Sequence, residues 1–159
     1  MTPSPPEPKK KKKVPKHTVG WTEYVGLPEL GIDRLDAKVD TGARTSALHV
    51  ENVVKRKDGL LEFDVVLSRK KLNRRVRVSA PILKRAKVRS STGEYHERYF
   101  IKTRLRLGPV EKDIELSLVS REKMVFRMLI GRKALERDFL VDVSKRRVHA
   151  PQPKEPRLS

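Results

Sequence analysis

Short apolar segments separated by turn residues run through most of the chain, and they constrain its fold more than any other feature. Some alternate apolar with polar residues and others are continuously apolar, as expected of strands that are half or fully buried in a sheet. The predicted strands cover 60–67, 74–79, two arms within 88–101, 103–107, 114–119, 124–130 and 139–143. Only residues 132–138 (RKALERD) have a helical pattern, of about one or two turns. This order predicts an all-β protein, a small closed or sandwiched β-barrel with one short C-terminal helix.

The composition limits how large and what kind of core this barrel can have. The chain has 159 residues, of which 36% are hydrophobic and only 5% aromatic, so we expect a single domain with an aliphatic core. The absence of cysteine excludes disulfides, thiolate zinc sites and cysteine nucleophiles, and it suits a reducing compartment. No apolar run approaches the roughly 20 residues that cross a bilayer, and no apolar segment follows the N-terminal lysines as in a secretory signal. We therefore expect a cytoplasmic protein that does not contact membranes.

The chain is strongly basic, with a formal net charge of +18. Residues 1–17 combine prolines with six lysines, which predicts a disordered basic arm, and the proline-rich residues 151–159 predict a disordered tail. The lysine run fits either a nuclear localisation signal or a plain electrostatic arm. Much of the charge lies between these ends, in the predicted domain 18–150, and it favours anionic partners unless it is simply a solvated surface.

Residues 37–50, AKVDTGARTSALHV, place a carboxylate where an apolar strand ends. Asp40, Thr41 and Gly42 form an ordinary β-turn in one interpretation. In the other, Asp40 is catalytic, because two carboxylates that share one proton can activate a water molecule, and a glycine lets their backbones approach closely. The chain has one such tripeptide and therefore half of a pair. The catalytic interpretation thus requires a homodimer with a two-fold axis at the site.

A second motif about 90 residues later favours the catalytic interpretation. It reads MLIGRKALERDFLVD, an apolar strand followed by Gly131-Arg132 and a short helix. The pairing of these two motifs resembles the retroviral aspartic proteases. Two further segments extend the resemblance, GWTEYVGLPELGI before the first motif and VRSSTGEYHERYFIKT between the two. Together the four segments are similar to a bacterial retropepsin-like family labelled "ATP-dependent zinc protease". The resemblance covers residues 20 to about 149 and implies a closed barrel of the retropepsin type.

The resemblance also implies roles for particular residues. Asp40 becomes the catalytic carboxylate, Thr41 the hydroxyl that braces the paired loops, and Gly42 the residue of close approach. The turn of the hairpin at 88–101 lies where retropepsins carry a flap that folds over the substrate, and the G-R pair supports the site. The residues so assigned are Ser90, Ser91, Thr92 and Gly93 for the flap, and Gly131 and Arg132 for support.

The sequence contains no motif typical of zinc binding or of ATP binding. There is no H-E-x-x-H, the histidines His49, His96 and His149 are far apart, and no G-x-x-x-x-G-K-[ST] loop exists. We therefore predict no metal site and no cofactor.

One position departs from the viral pattern. There the motif continues D-T-G-A-[DE] and the acid pairs with the arginine of the G-R block, whereas here the residue is Arg44. Arg132 then needs another acid, or the dimer contact is weaker; the acids considered are Glu136, Asp138 and Asp142. With Ala43, Arg44 is free to contact substrate, and a guanidinium there favours the carboxylates of an acidic peptide. The family is associated with ATP-grasp ligases of the RimK type, which append glutamates, and a glutamate-rich tail is the substrate that this analogy favours.

Two alternatives to a peptidase stay open at this point. One is a non-catalytic module whose basic face binds nucleic acid or acidic proteins. Single-strand binding is disfavoured because the aromatic residues are too scattered to form a stacking platform; they include Trp21, Tyr24, Phe63, Tyr95 and Tyr99. The other is a monomeric pseudo-peptidase that keeps the fold without the activity.

Overall fold

A computed structural model describes residues 16–68, 70–71, 73–89, 92–121 and 124–149. The predicted arm falls outside the described residues except for its last two positions, and the predicted tail 151–159 falls outside them entirely. The strands are β1 His17–Val19, β2 Thr22–Leu27, β3 Ile32–Val39, β4 Ser46–Lys55, β5 Leu60–Val66, β6 Arg75–Pro81, β7 Lys84–Arg89, β8 Tyr95–Leu107, β9 Val110–Val119, β10 Met128–Ile130 and β11 Phe139–Val141. A 3-10 turn spans Pro28–Leu30, and α1 spans Arg132–Leu135. No described helix is long and apolar enough to span a membrane.

Six of these strands close into a barrel. Their order around it is β10, β3, β2, β8, β9 and β4, and β10 then pairs with β4 to complete the ring. The sheet is mixed, because β10 runs parallel to β3 and β4 runs parallel to β9, while the other neighbours are antiparallel. Strands β5 and β6 extend the sheet beyond β4, and β7 forms a hairpin with β8. The predicted all-β fold with a closed barrel and one short helix is confirmed.

Aliphatic side chains fill the barrel. The alternation of β8 buries Ile101, Leu105 and Leu107 while Lys102 remains exposed, and β9 contributes Leu116 to the same core. Each fully buried leucine stabilises the fold by about 1.5–3 kcal/mol relative to an exposed one. Because strand side chains alternate between the two faces, the period of two in the sequence determines which residues reach this core.

Strand β10 is shorter than the apolar run that predicts it. The predicted strand covers 124–130, whereas the observed one begins at Met128, and Val125 is 60% exposed. The difference arises because β10 lies between β3 and β4, with Met128 beside both Ala37 and Leu48. The two strands flank β10 together for only this short distance, so tertiary pairing and not apolar content determines its length.

The helix is also shorter than its predicted range of 132–138. Glu136 has extended ψ of 140°, and Arg137 has a left-handed φ of 74°, so the chain leaves the helix after one turn. This sharp exit lets Phe139 begin β11, which pairs in parallel with β1 from His17 onwards. Strands β1, β2 and β4 were not among the predicted strands, and β3 was expected only where it leads into Asp40.

A buried carboxylate ties the C-terminal segment to the barrel. Glu23 on β2 is fully buried and accepts backbone N–H groups from Gly20 at 2.7 Å, Val148 at 2.9 Å and His149 at 2.9 Å. Burying an ionised carboxylate is costly unless hydrogen bonds replace its hydration, and three amides do so here. Residues near both ends of the described chain are thus held together at one side of the barrel.

Candidate active site

The D-T-G loop begins where β3 leaves the barrel. The backbone N–H of Asp40 donates to the Ile130 carbonyl at 2.9 Å, so the last residue of β10 fixes the place where the strand ends. One carboxylate oxygen of Asp40 accepts the Gly42 N–H at 3.0 Å. The Asp40 side chain is half-buried, with one oxygen oriented by its own loop and the carboxylate still accessible from outside. This geometry combines an Asx-type turn with a carboxylate held at a strand end, so the two interpretations of the tripeptide do not exclude each other.

The G-R block holds this loop from behind. The backbone N–H groups of Arg132 and Lys133 donate to the carbonyls of Ala43 at 2.8 Å and Arg44 at 3.1 Å. The Arg132 guanidinium donates to the Thr41 carbonyl at 2.9 Å. The first turn of α1 therefore satisfies three carbonyls of the loop, which fixes the loop backbone that carries Asp40.

Gly131 is the residue of close approach within the chain. A Cβ atom at this position would lie 2.7 Å from the Thr45 carbonyl carbon and 2.8 Å from its oxygen, closer than real Cβ contacts. At Gly42 a Cβ would meet only the Asp40 carboxylate, at 3.2 Å. The contact that the sequence assigns to Gly42 would be with a second copy of the loop, and this chain does not test it.

Ser46 is a supporting residue that the sequence analysis missed. Its hydroxyl oxygen accepts the Gly131 N–H at 3.0 Å, and its side chain is 1% exposed at the start of β4. It joins the strand after the loop to the G-R block. The sequence signal that could have identified Ser46 is a hydroxyl residue at the start of the apolar segment that follows the D-T-G loop.

Arg132 pairs with none of the acids considered for it. Among the described residues its guanidinium forms no ion pair with a carboxylate and donates to the Thr41 carbonyl instead. Asp138 is bound by Lys112 at 2.7 Å, and Asp142 accepts from Ser144. The Ser144 hydrogen bonds are the main reason why the pKa of Asp142 lies below its ordinary value. An acidic partner for Arg132 within the same described chain is therefore wrong, since a backbone carbonyl takes its place, and the alternative of a weaker dimer contact stays a prediction.

The other predicted site residues lie on two different parts of the molecule. Ala43 is half-buried and Arg44 and Thr41 are exposed, all on the D-T-G loop. Thr92 and Gly93 lie at the end of the β7–β8 hairpin, where Gly93 has a left-handed φ of 86°. The predicted arms of this hairpin are confirmed, and Ser90 and Ser91 lie outside the described residues.

A family model matches this architecture along nearly the whole described chain. It is described as "RimB-like: Retropepsin-like aspartic endopeptidase RimB", and it matches residues 18–152. The chain belongs to this family. Its members are hydrolases, and a peptidase family implies peptide substrates.

Curated relatives match the chain along part of their own length. "Probable alpha-L-glutamate ligase" of Desulfotalea psychrophila is 35% identical over 132 residues, which cover 81% of this chain and 28% of that protein. The protein of the same description in Shewanella halifaxensis is 34% identical over 133 residues, 82% of this chain and 29% of that protein. The chain thus spans less than a third of the curated relatives that it matches.

A solved structure shares the fold. Lpg0085 of Legionella pneumophila, described as a protein with unknown function (DUF785), superimposes with a TM-score of 0.71 at 22% identity. The superposition covers 85% of this chain and 99% of that chain. At this identity the likeness supports the barrel and says nothing of the reaction.

The described residues do not fit the zinc that the family label names. No three histidine, aspartate or glutamate side chains among them lie together in positions that would hold a metal ion. The Nδ1 atom of buried His49 accepts the Arg121 N–H at 3.0 Å, and Nε2 of His149 lies 2.7 Å from the Thr18 carbonyl oxygen. Each ring is bound in a different part of the fold.

Proposed function

We propose that two copies of the chain form a peptidase in which the two Asp40 carboxylates meet at a two-fold axis and share one proton. Like charges about 3 Å apart cannot both ionise cheaply, so one carboxylate is ionised while the other is protonated. The ionised carboxylate takes a proton from water as the water oxygen attacks the peptide carbonyl carbon. The protonated carboxyl donates its proton to the carbonyl oxygen.

The same pair completes the reaction when the tetrahedral intermediate collapses. The carboxyl that took the proton from water donates it to the departing nitrogen as the C–N bond breaks. The other carboxylate recovers a proton from a hydroxyl of the intermediate. The products are a carboxylic acid and an amine, and the pair returns to its starting protonation state.

The placement of Asp40 is the observation that carries this proposal. Its backbone is fixed by the Ile130 carbonyl, its loop is held by Arg132, and its carboxylate is bound only by the Gly42 N–H among the described residues. Catalytic groups need this kind of rigid support, because small displacements of a reacting group are costly in rate. One chain supplies one such carboxylate, and a second copy supplies the other.

The two residues that follow Asp40 suit a contact between two loops. The Thr41 hydroxyl forms no hydrogen bond within the described part of one chain, and Gly42 is exposed beside it. A hydroxyl that donates across the axis would brace the partner loop, and a residue without a side chain lets the two backbones approach.

The substrate that we propose is an acidic, glutamate-rich peptide. The net charge of +18 attracts anions, and the exposed Arg44 lies four residues beyond Asp40 on the site loop. The relatives that carry the same domain are described as probable alpha-L-glutamate ligases. We infer that this chain acts beside a RimK-type ligase and removes glutamates that such a ligase adds.

The decisive experiment combines the size of the protein in solution with cleavage of a peptide library. We expect a homodimer by light scattering, and cleavage that is lost in Asp40→Asn while the dimer persists. Asp33→Asn, at an exposed aspartate of the same strand β3, is the matched control and should keep full activity. A monomer that cleaves, or an active Asp40→Asn, contradicts the proposal.

The same library tests the role of Arg44. A charge-assisted hydrogen bond to a substrate carboxylate contributes about 1.5–3 kcal/mol, so Arg44→Ala should lower kcat/KM on glutamate peptides by about tenfold or more. Glutamine peptides should be unaffected. An equal loss on both peptides would remove Arg44 from substrate recognition.

A further inference from the structure

A second basic site lies where β8 begins and β9 ends. A cavity of about 390 Å³ is lined on one side by His96, Glu97 and Arg98 of β8, and on the other by Val119, Ser120 and Arg121. It is separate from the D-T-G loop, and no role has been assigned to it above. The cavity is open to solvent between the β7–β8 hairpin, where Arg98 pairs with Ala86 and His96 with Val88, and the segment that leaves β9.

Two arginines, Arg98 and Arg121, line this cavity and interact electrostatically. The pKa of half-buried Arg98 lies below its ordinary value, mainly because burial removes solvent from its guanidinium and secondly because Arg121 carries a like charge. Neither arginine forms an ion pair with a carboxylate among the described residues. Two like charges that interact at short range destabilise each other unless an anion lies nearby.

Several neighbouring cations of the same sheet are paired with acids. On β7, Lys84 contacts Glu115 at 3.4 Å and Arg85 contacts Glu97 at 3.7 Å. Further along β8, Arg104 contacts Glu111 at 3.7 Å and Asp113 at 3.5 Å. Glu97 lines the cavity but is thus already bound by Arg85. Several cations of this sheet are thus neutralised by cross-strand acids, whereas Arg98 and Arg121, which line a cavity together, have no such partner among the described residues.

The strand register relates this cavity to the catalytic loop. Strands β4 and β9 run in parallel with Ser46 beside Leu116 and His49 beside Val119. Three residues of strand at about 3.3 Å each place the end of β9 about 10 Å along the strand from Ser46, which supports the D-T-G loop. The Arg121 N–H donates to Nδ1 of buried His49, which anchors the backbone beside the cavity. Asp40 follows β3, which lies three strands from β9 in either direction around the barrel, so the cavity is also displaced sideways from Asp40 by about 10 Å or more. An extended peptide rises about 3.3 Å per residue, so a side chain several residues from the cleaved bond has the reach to enter the cavity.

We propose that Arg98 and Arg121 form a subsite that binds a side-chain carboxylate of an acidic peptide, several residues from the bond that is cleaved. The location relative to the cleaved bond rests on the peptidase proposed above, whereas the carboxylate site itself does not. Planar guanidinium groups bind carboxylates with two parallel hydrogen bonds, and a pair of them selects glutamate or aspartate over neutral side chains.

Binding without turnover tests the site by itself. The full chain carrying Asp40→Asn is titrated into labelled hexaglutamate or hexaglutamine at about 0.15 M salt, where the Debye length of about 8 Å limits attraction by distant lysines. We expect Arg98→Gln and Arg121→Gln each to weaken hexaglutamate binding by about tenfold. The matched control is Arg104→Gln, which removes the same charge from β8 where cross-strand acids already neutralise it, and it should change binding by less than about twofold.

The outcomes separate this site from the catalytic proposal. Equal weakening by Arg104→Gln, unchanged binding in both cavity variants, or equal affinity for hexaglutamine overturns the subsite. If Arg98→Gln does not fold, Arg121→Gln decides, because the Arg121 side chain is exposed. Loss of hexaglutamate binding in the cavity variants, in a protein that cleaves no peptide, supports the carboxylate site while contradicting the peptidase.

Discussion

The loop that carries Asp40 is positioned mainly by backbone hydrogen bonds. The Ile130 carbonyl fixes the residue itself, and Arg132 contacts the loop through its backbone and its guanidinium. In the viral pattern an acid at the position of Arg44 binds the arginine, and here the Thr41 carbonyl replaces that acid. A cation at position 44 is therefore compatible with an intact loop. The motif predicted which residues meet, and the partner of Arg132 differs because a carbonyl satisfies the same donor.

Gly131→Ala should move the site loop. The new methyl group would lie 2.7 Å from the Thr45 carbonyl carbon, and overpacking of this kind costs about 1–3 kcal/mol. We expect thermal denaturation to show that loss of stability, and peptide cleavage to fall by more than tenfold because the loop bearing Asp40 shifts.

Gly59→Ala is the matched control for that variant. Gly59 has a left-handed φ of 87° with open space around a new Cβ, in the turn between β4 and β5. It should lose about 1 kcal/mol of stability through backbone strain and keep its activity. Equal activity of the two variants at temperatures where both are folded would show that Gly131 only stabilises the fold.

At the scale of strands, the turn residues 90–93 predicted the hairpin β7–β8, and the local apolar pattern predicted the extension β5–β6. The local pattern could not predict β1 or the length of β10. Those depend on pairing with segments more than 80 residues away, as between Met128 and Ala37. Ser46 and the Arg98–Arg121 pair were missed for the same reason, since only the register of distant strands brings them to their partners.

An aspartate stabilises the strands outside the barrel. Asp64 on β5 accepts from the Asn52 side chain at 2.8 Å, and from Arg77 at 3.2 Å and Arg75 at 3.4 Å. The Asn52 hydrogen bond is the largest reason why the pKa of Asp64 lies below its ordinary value of 3.8, outweighing burial, which raises the pKa. Asn52 itself has a left-handed φ of 54° at the irregular register between β4 and β5. The contact therefore joins a bulge to its neighbouring strand.

Asp64→Asn should reveal this contribution through its pH dependence. A lowered pKa stabilises the fold above the unfolded value of about 3.8, and the contribution is lost as the pH falls through the folded value. At pH 7 we expect the variant to be less stable by about 1 kcal/mol in urea unfolding, because three donors at the surface lose a charged acceptor on the buried Asp64 side chain. The difference should shrink towards pH 2. Asp58→Asn, in the exposed turn between β4 and β5, is the control, and a pH-independent difference at Asp64 would contradict the assignment.

At the scale of the molecule, many basic residues are engaged with acids of neighbouring strands, as Arg75 and Arg77 are on β6 and Arg56 is in the turn before β5. The net charge alone therefore exaggerates how much of the surface is free to bind anions. The barrel in turn holds a single copy of the D-T-G loop at its edge, and a catalytic site of two carboxylates has to be completed by another molecule.

Mixing wild type with Asp40→Asn tests whether the site is shared between chains. If each active site needs one Asp40 from each copy, a mixed dimer has a single carboxylate and is inactive. Activity per total protein should then follow the square of the wild-type fraction. An equal mixture that has exchanged subunits therefore keeps about one quarter of the activity of an equal total amount of pure wild type. Independent sites within each chain would keep about one half. Dilution of wild type should lower its specific activity as dimers dissociate, and the control mixture with Asp33→Asn should lose nothing, because that residue lies outside the shared site.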